Sequence, residues 1–177
     1  LNGDNATWTV DDRVRSSYRE LATGNGHTLE FFAFDDLRAS TGNDTFQLDA
    51  NIAFVGAIDA GAGADLLITN DTATDFEINT PGGGTVNAGP GNSTFANVES
   101  LIGGAGNDAF TFTNSGSLVG TIDAAGGQDV LTGDSNGNVF DTTGTNRGLL
   151  VESATTSPTV TAAFAFNDVG PDMITRT

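Results

Sequence analysis

Asn43-Asp44-Thr45-Phe46 returns as Asn107-Asp108-Ala109-Phe110, 64 residues later (107 − 43), and the offset holds from Val55-Gly56-Ala57-Ile58-Asp59-Ala60 to Val119-Gly120-Thr121-Ile122-Asp123-Ala124. It extends to Asp65-Leu66-Leu67, matched by Asp129-Val130-Leu131. A duplicated, Gly-rich unit restricts a chain to stacked architectures, because a unit too small to bury its own apolar face must bury it against a neighbour. A finer spacing lies inside the long one. Asp44 and Asp65 are 21 residues apart (65 − 44), as are Asp108 and Asp129 (129 − 108). Three such steps nearly fill the long period. The expected fold is therefore all-β: a parallel β-helix or β-solenoid with about 21 residues per coil and three coils per 64-residue repeat. One solenoid domain would span 1–177, with repeats near 1–67, 68–131 and a partial third at 132–177, where Leu131-Thr132-Gly133-Asp134 echoes Leu1-Asn2-Gly3-Asp4.

Short β-favouring stretches recur between turn signals. They are Trp8-Thr9-Val10, Leu29-Glu30-Phe31-Phe32, Thr45-Phe46-Gln47-Leu48, Phe110-Thr111-Phe112, Val130-Leu131 and Val160-Thr161-Ala162-Ala163-Phe164. Gly61-Ala62-Gly63, Gly82-Gly83-Gly84, Gly103-Gly104 and Gly126-Gly127 read as corners between them. Inward Phe and Leu side chains are expected to stack in ladders, with almost no helix. The stretch from Asp11 to Leu21 breaks the pattern, since it lacks Gly and holds Arg13, Arg15 and Arg19. It reads as a loop or one helical turn.

Composition narrows the partners. With 23 acidic and 6 basic residues the formal charge is −17, which excludes nucleic acid and anionic membrane surfaces and favours cations. All the basic residues are Arg, and there is no cysteine, so neither disulfides nor thiol chemistry is available. The 12 Phe supply a core thin enough to run along a solenoid axis. No apolar run suits membrane insertion. With no initiator Met and no signal-peptide pattern, the chain is expected to be an excerpt of a longer exported protein, placed extracellularly or at the cell surface.

Gly103-Gly104-Ala105-Gly106-Asn107-Asp108-Ala109-Phe110-Thr111 fits the nonapeptide G-G-x-G-x-D-x-U-x, with U large and apolar, residue for residue. In such a corner the Gly residues let carbonyls point inward, the Asp adds an anionic oxygen and the apolar residue anchors the turn. Hard oxygen donors suit Ca2+. Degenerate copies start at Ala39, Ala60, Ala88 and Ala124, with Ser93 in place of Asp in the copy from Ala88. The candidate Ca2+ ligands are Asp44 over Asp65 and Asp108 over Asp129, with Asp59 and Asp123 on neighbouring turns and Asn107, Gly104 and Gly106 in the matched corner. The competing role for these Asp and Asn residues is turn capping through hydrogen bonds to the backbone.

On these residues the chain resembles the haemolysin-type, or RTX-like, Ca2+-binding repeats. Over nearly its whole length it is similar to the long repeats of giant bacterial surface and adhesin-like proteins, through Leu131 to Asp134, Phe140, Phe95-Ala96-Asn97-Val98-Glu99, Gly103 to Phe110 and Gly120 to Leu131. The resemblance implies an extracellular β-solenoid segment of a secreted or surface-anchored protein, and not an enzyme. Most nonapeptide copies here stand a coil apart and several have lost Gly, unlike tandem RTX arrays.

The expected function is thus a structural or adhesive repeat segment, a stiff spacer or filament-forming body. Its partners would be copies of itself, end to end or laterally, or a glycan or other cell-surface component. The alternative is a glycan-binding or polysaccharide-degrading β-helix. For catalysis the best constellation is Asp35-Asp36 with Arg38, yet neighbours on a strand face opposite ways. His27, the single His, reads as a turn residue beside Gly26. For glycans, Thr7/Thr9, Thr72/Thr74, Thr111/Thr113 and Thr159/Thr161 offer hydroxyl pairs at spacings that are not multiples of the coil.

Overall fold

The computed structural model describes residues 5–10, 16–20, 28–31, 33–49, 54–70, 72–89, 91–135, 138–144, 147–152, 159–165 and 173–175. The chain is mostly β. Its strands in order are β1 (Ala6–Val10), β2 (Ser16–Glu20), β3 (Thr28–Phe31), β4 (Asp36–Arg38), β5 (Thr45–Leu48), β6 (Ala57–Asp59), β7 (Leu66–Thr69), β8 (Thr74–Thr80) and β9 (Gly83–Ala88). They continue with β10 (Asn92–Ala96), β11 (Ser100–Ile102), β12 (Ala109–Phe112), β13 (Thr121–Asp123), β14 (Val130–Thr132), β15 (Asn138–Gly144), β16 (Arg147–Glu152), β17 (Thr159–Ala165) and β18 (Met173–Thr175).

Two sheets share these strands. The larger runs β15-β16-β17-β13-β11-β7-β5-β1-β2-β3, and the smaller runs β18-β14-β12-β8-β9-β10-β6-β4. The chain visits them alternately: the meander β1–β3 lies in the larger, β4 in the smaller, β5 in the larger, and so on to β18. Alternating burial explains the pairing of faces, as in β8, where Thr74, Phe76 and Ile78 are buried while Asp75 and Glu77 are exposed. Apolar residues from both sheets join in one core from Val10 to Leu131. Parallel pairing sets like side chains above one another. Phe76 stacks on Phe110 with ring centroids 4.9 Å apart and planes 6° apart, and Trp8 stacks on Phe46 at 5.5 Å and 9°. In register, Phe46, Leu67, Leu101 and Ile122 form one inward column.

The expected uniform parallel coil needs correcting, because both sheets are mixed. Three antiparallel meanders, β1–β2–β3, β8–β9–β10 and β15–β16–β17, each replace a single strand. The 21-residue spacing holds only where an intervening pass is one strand, as for Thr45 beside Leu66 and Ala109 beside Val130. Across a meander the spacing grows, to 34 between Thr74 and Asp108 and 38 between Asn5 and Asn43. A 64-residue repeat therefore contains one meander and four single strands, which makes five passes and not three coils. Because five is odd, successive copies enter opposite sheets. The Asn43 copy leads into β5 of the larger sheet and the Asn107 copy into β12 of the smaller.

Local chemistry accounts for the meander. Gly82, with φ of 65°, turns the hairpin after Pro81, and Gly84 lies so close to β8 that a Cβ there would sit 1.8 Å from Glu77 O. Gly83 and Gly84 are thus strand residues and not the expected corner. The hairpin tip is pinned on both sides: Gly82 N donates to Ser117 O at 2.8 Å and Val98 N donates to Gly82 O at 2.9 Å. Likewise, Ser16–Glu20, expected to be a loop or helical turn, forms a strand antiparallel to β1. Its stretches 11–15 and residue 21 lie outside the described residues.

Two alanines at corners hold left-handed backbone, Ala33 with φ of 55° and Ala125. Ala125 has φ of 63° where its counterpart in the first copy, Gly61 (125 − 64), has φ of 92°. A left-handed conformation costs a side-chain-bearing residue about 1 kcal/mol. Ala125→Gly is expected to stabilise the chain by about that amount in urea titration, and any loss of stability would show that the methyl makes compensating contacts.

Candidate functional site: two columns of buried carboxylates

At the corners that lead into β1, β5, β7, β8, β12 and β14, some N–H groups have no backbone partner. Asn and Asp side chains accept from them instead, and they do so in opposite directions. Asn5 Oδ1 accepts Asn43 N at 2.8 Å and Asn43 Oδ1 accepts Ala64 N at 2.9 Å, so each Asn caps the following layer. Asp44 Oδ1 accepts Ala6 N at 2.8 Å and Asp65 Oδ1 accepts Asp44 N at 2.7 Å, so each Asp caps the preceding one. Glu99 Oε2 continues the column by accepting Asp65 N at 2.8 Å. The second column repeats the device: Asp108 Oδ1 accepts Thr74 N, Asp129 Oδ1 accepts Asp108 N and Asn107 Oδ1 accepts Gln128 N, all at 2.8 Å. An N–H buried without a partner is costly, which explains why acids are tolerated here.

These acids are almost wholly buried. Asp44 is 2 % exposed, and Asp65, Asp108 and Asp129 are each 1 % exposed. Oδ2 of Asp44, Asp65 and Asp108 has no hydrogen-bond partner. Burial therefore pushes the Asp44 carboxyl up, against the pull of the Ala6 N–H. Burial raises Asp65 to about 6, opposed by the Asp44 N–H and reinforced by the charges of Glu99 and Asp44. It raises Asp108 to about 7, opposed by the backbone N–H and hydroxyl of Thr74 and reinforced by Asp129 and Asp75.

The nine expected ligands separate into groups. Asp44 and Asp65 stack at the larger sheet, while Asp108 and Asp129 stack at the smaller with Asn107, Gly104 and Gly106 beside them. Gly104 takes φ of 105°, and Gly106 packs so closely on the Thr72–Ala73 backbone that a Cβ would come within 2.4 Å of Thr72 C. Asp59 and Asp123 stand apart from both columns: Asp59 Oδ1 accepts Asn97 Nδ2 at 2.7 Å, and Asp123 Oδ1 accepts Ala125 N at 3.0 Å. Asn5, Asn43 and Glu99 are participants that the motif reading passed over. The Asn before Asp44 and before Asp108 was a usable signal, whereas Glu99 joins only because a meander separates it from Asp65.

The fit to Ca2+ is poor. Each Oδ1 is spent on an N–H, and among the described residues no three acidic or histidine side chains converge, while Ca2+ takes six to eight oxygens.

The remaining candidates are dispersed. Asp35 and Asp36 are exposed, with Asp36 on β4 at the edge of the smaller sheet, and His27 lies outside the described residues. Thr74 is buried and therefore presents no hydroxyl to a ligand. A concavity of about 480 Å3 at the smaller sheet is lined by polar Asp75, Glu77, Asn87, Asn92, Thr111 and Thr113 together with apolar Phe76 and Ala109, and Thr113 Oγ1 donates to Glu77 Oε1 at 2.9 Å. No protein-family model matches the chain, and no match was found among curated proteins or solved structures.

Proposed function

We propose that this chain is a non-enzymatic stacked-repeat segment, a β-solenoid in which meanders interrupt the coil, serving as a stiff spacer or adhesive body outside the cell. The observation that carries this reading is the double capping of the layers. Backbone ladders join strands within each sheet, and the Asn and Asp columns join the corners between them, so bending the stack would break hydrogen bonds on every side. The acidic composition fits an extracellular place, and one oxygen of each column Asp already serves a backbone N–H. Scattering in solution tests the reading: ten strands at about 4.8 Å set a rigid length of roughly 45–50 Å, and a flexible or swollen particle would overturn it.

The same sample decides the role of the columns. With backbone N–H groups serving the acids, the melting temperature in millimolar Ca2+ is expected to lie within about 2 °C of that in excess EDTA, whereas a rise of about 10 °C would return these corners to metal ligation. A second reading, glycan binding, is favoured by the concavity of mixed polar and apolar lining. Its carboxylates and amides, with no cation among its lining residues, suit the hydroxyls of a neutral sugar better than an anion.

A further inference from the structure

Among the described strands, β3 and β4 stand at the edges of their sheets at the same end of the stack. Their counterparts 64 residues on are covered. The strand equivalent to β4 is β11, which lies parallel on β7, and the next equivalent, β18, lies parallel on β14. The third strands of the later meanders, β10 and β17, lie likewise on β6 and β13. The junction between one repeat and the next is therefore present twice in this molecule.

That junction has defined chemistry. Ser100 N donates to Asp65 O at 3.0 Å while Glu99 Oε2 accepts Asp65 N at 2.8 Å, so the acid before β11 grips both backbone groups of the preceding Asp corner together with its neighbour. The residues at these places before and in β4 are Asp35 and Asp36 (99 − 64; 100 − 64), both exposed. The backbone of β4 is oriented to match. Asp35 O accepts Ala57 N and Ala39 N donates to Asp59 O, each at 2.9 Å, so alternate groups face β6 and those of Asp36 and Arg38 face the open edge.

We propose that this edge is a docking surface for another repeat of the same kind, which adds in parallel its strand corresponding to Leu66–Thr69 and places its Asp corner under the carboxylate of Asp35. The proposal rests on the stacked-repeat reading. A second copy of this chain does not supply the occupant, because β7 and β14 are each paired on both sides.

Amide hydrogen exchange tests it on two proteins: the 177-residue chain, and the same chain extended at its N-terminus by a copy of residues 67–130, so that Leu1 takes the place of Leu131. In the shorter protein the Asp36 and Arg38 amides are expected to exchange near the free rate while Ala39, bonded to Asp59, is slow. In the extended protein Asp36 and Arg38 are expected to slow at least about 100-fold, comparable to an opening cost near 3 kcal/mol. Arg38→Pro removes an N–H only from the open edge, and in the extended protein it is expected to restore fast exchange at Asp36 and leave Ala39 slow. Fast Asp36 and Arg38 in the extended protein, with Ala39 still slow, would overturn the proposal. So would slow exchange at both in the 177-residue chain, at low or high concentration, since the edge would then be covered by the chain itself or by a second copy. Fast exchange at Ala39 in both proteins would instead remove the stacked-repeat reading.

Discussion

Acidification from pH 8 to pH 5 is expected to raise the melting temperature by roughly 5–10 °C, the reverse of ordinary acid denaturation. Asp65 and Asp108 are pushed up to about 6 and about 7, against 3.8 for the same group in an unfolded chain, and Asp44 is raised as well. A group held above its unfolded value binds its proton more tightly when folded. Its contribution to stability is complete below about pH 4 and disappears as the pH rises through 6 and 7. The carboxyls sit at corners beside exposed Asn43 and Asn107, so water is near and the full shifts overstate the free energy. A total of roughly 2–3 kcal/mol is a reasonable discounted figure. Relief of self-repulsion at a formal charge of −17 acts with the same sign. Below about pH 4 the remaining carboxylates dominate, and stability is expected to turn over. Calorimetry across pH 4–9 checks the slope. Asp108→Asn keeps an acceptor for the Thr74 N–H and has nothing to titrate, so its melting temperature is expected to vary less with pH than the parent's. An unchanged slope would remove Asp108 from the account.

Gly63→Ala is expected to cost about 4 kcal/mol or more, or to prevent folding, while Gly126→Ala is close to neutral. The difference lies in what a methyl would meet. At Gly63 a Cβ would stand 1.6 Å from Gly42 O, a backbone carbonyl of the preceding layer. At Gly126 the nearest atom is Ala105 Cα at 3.6 Å, an ordinary contact. Relief at Gly63 requires the layers to part, which breaks the bond from Gly42 N to Ala62 O at 2.9 Å and disturbs the Asp44–Asp65 cap beside it. Denaturant titration of both variants separates layer contact from a general preference for Gly at corners. Equal losses at the two positions would show that backbone conformation, and not the approach of layers, selects Gly.

Much of the stack was legible in the residues. Strands near Trp8, Phe46, Phe110 and Leu131 follow from short apolar alternations between turn signals, and the partners of Asp44 and Asp108 follow from the 21-residue spacing, because a one-strand pass has nearly constant length. Turn chemistry alone misjudged Gly83 and Gly84. Their lack of a side chain lets β9 approach β8, and sequence offers no means to tell that use of Gly from a corner.

The repeat and its inward Phe and Leu were sufficient to determine that the chain is β-rich and layered and that like residues would stack, since period-two burial and a duplicated apolar face leave few other arrangements. Only the tertiary structure decided which sheet each copy enters, and that Asp44, Asp65 and Asp108 are backbone caps with raised carboxyls. Both depend on strands far apart in the chain. A hairpin pairs with itself or inserts a single strand according to the room its neighbours leave, and a carboxylate becomes a cap or a ligand according to which N–H the adjoining layer presents.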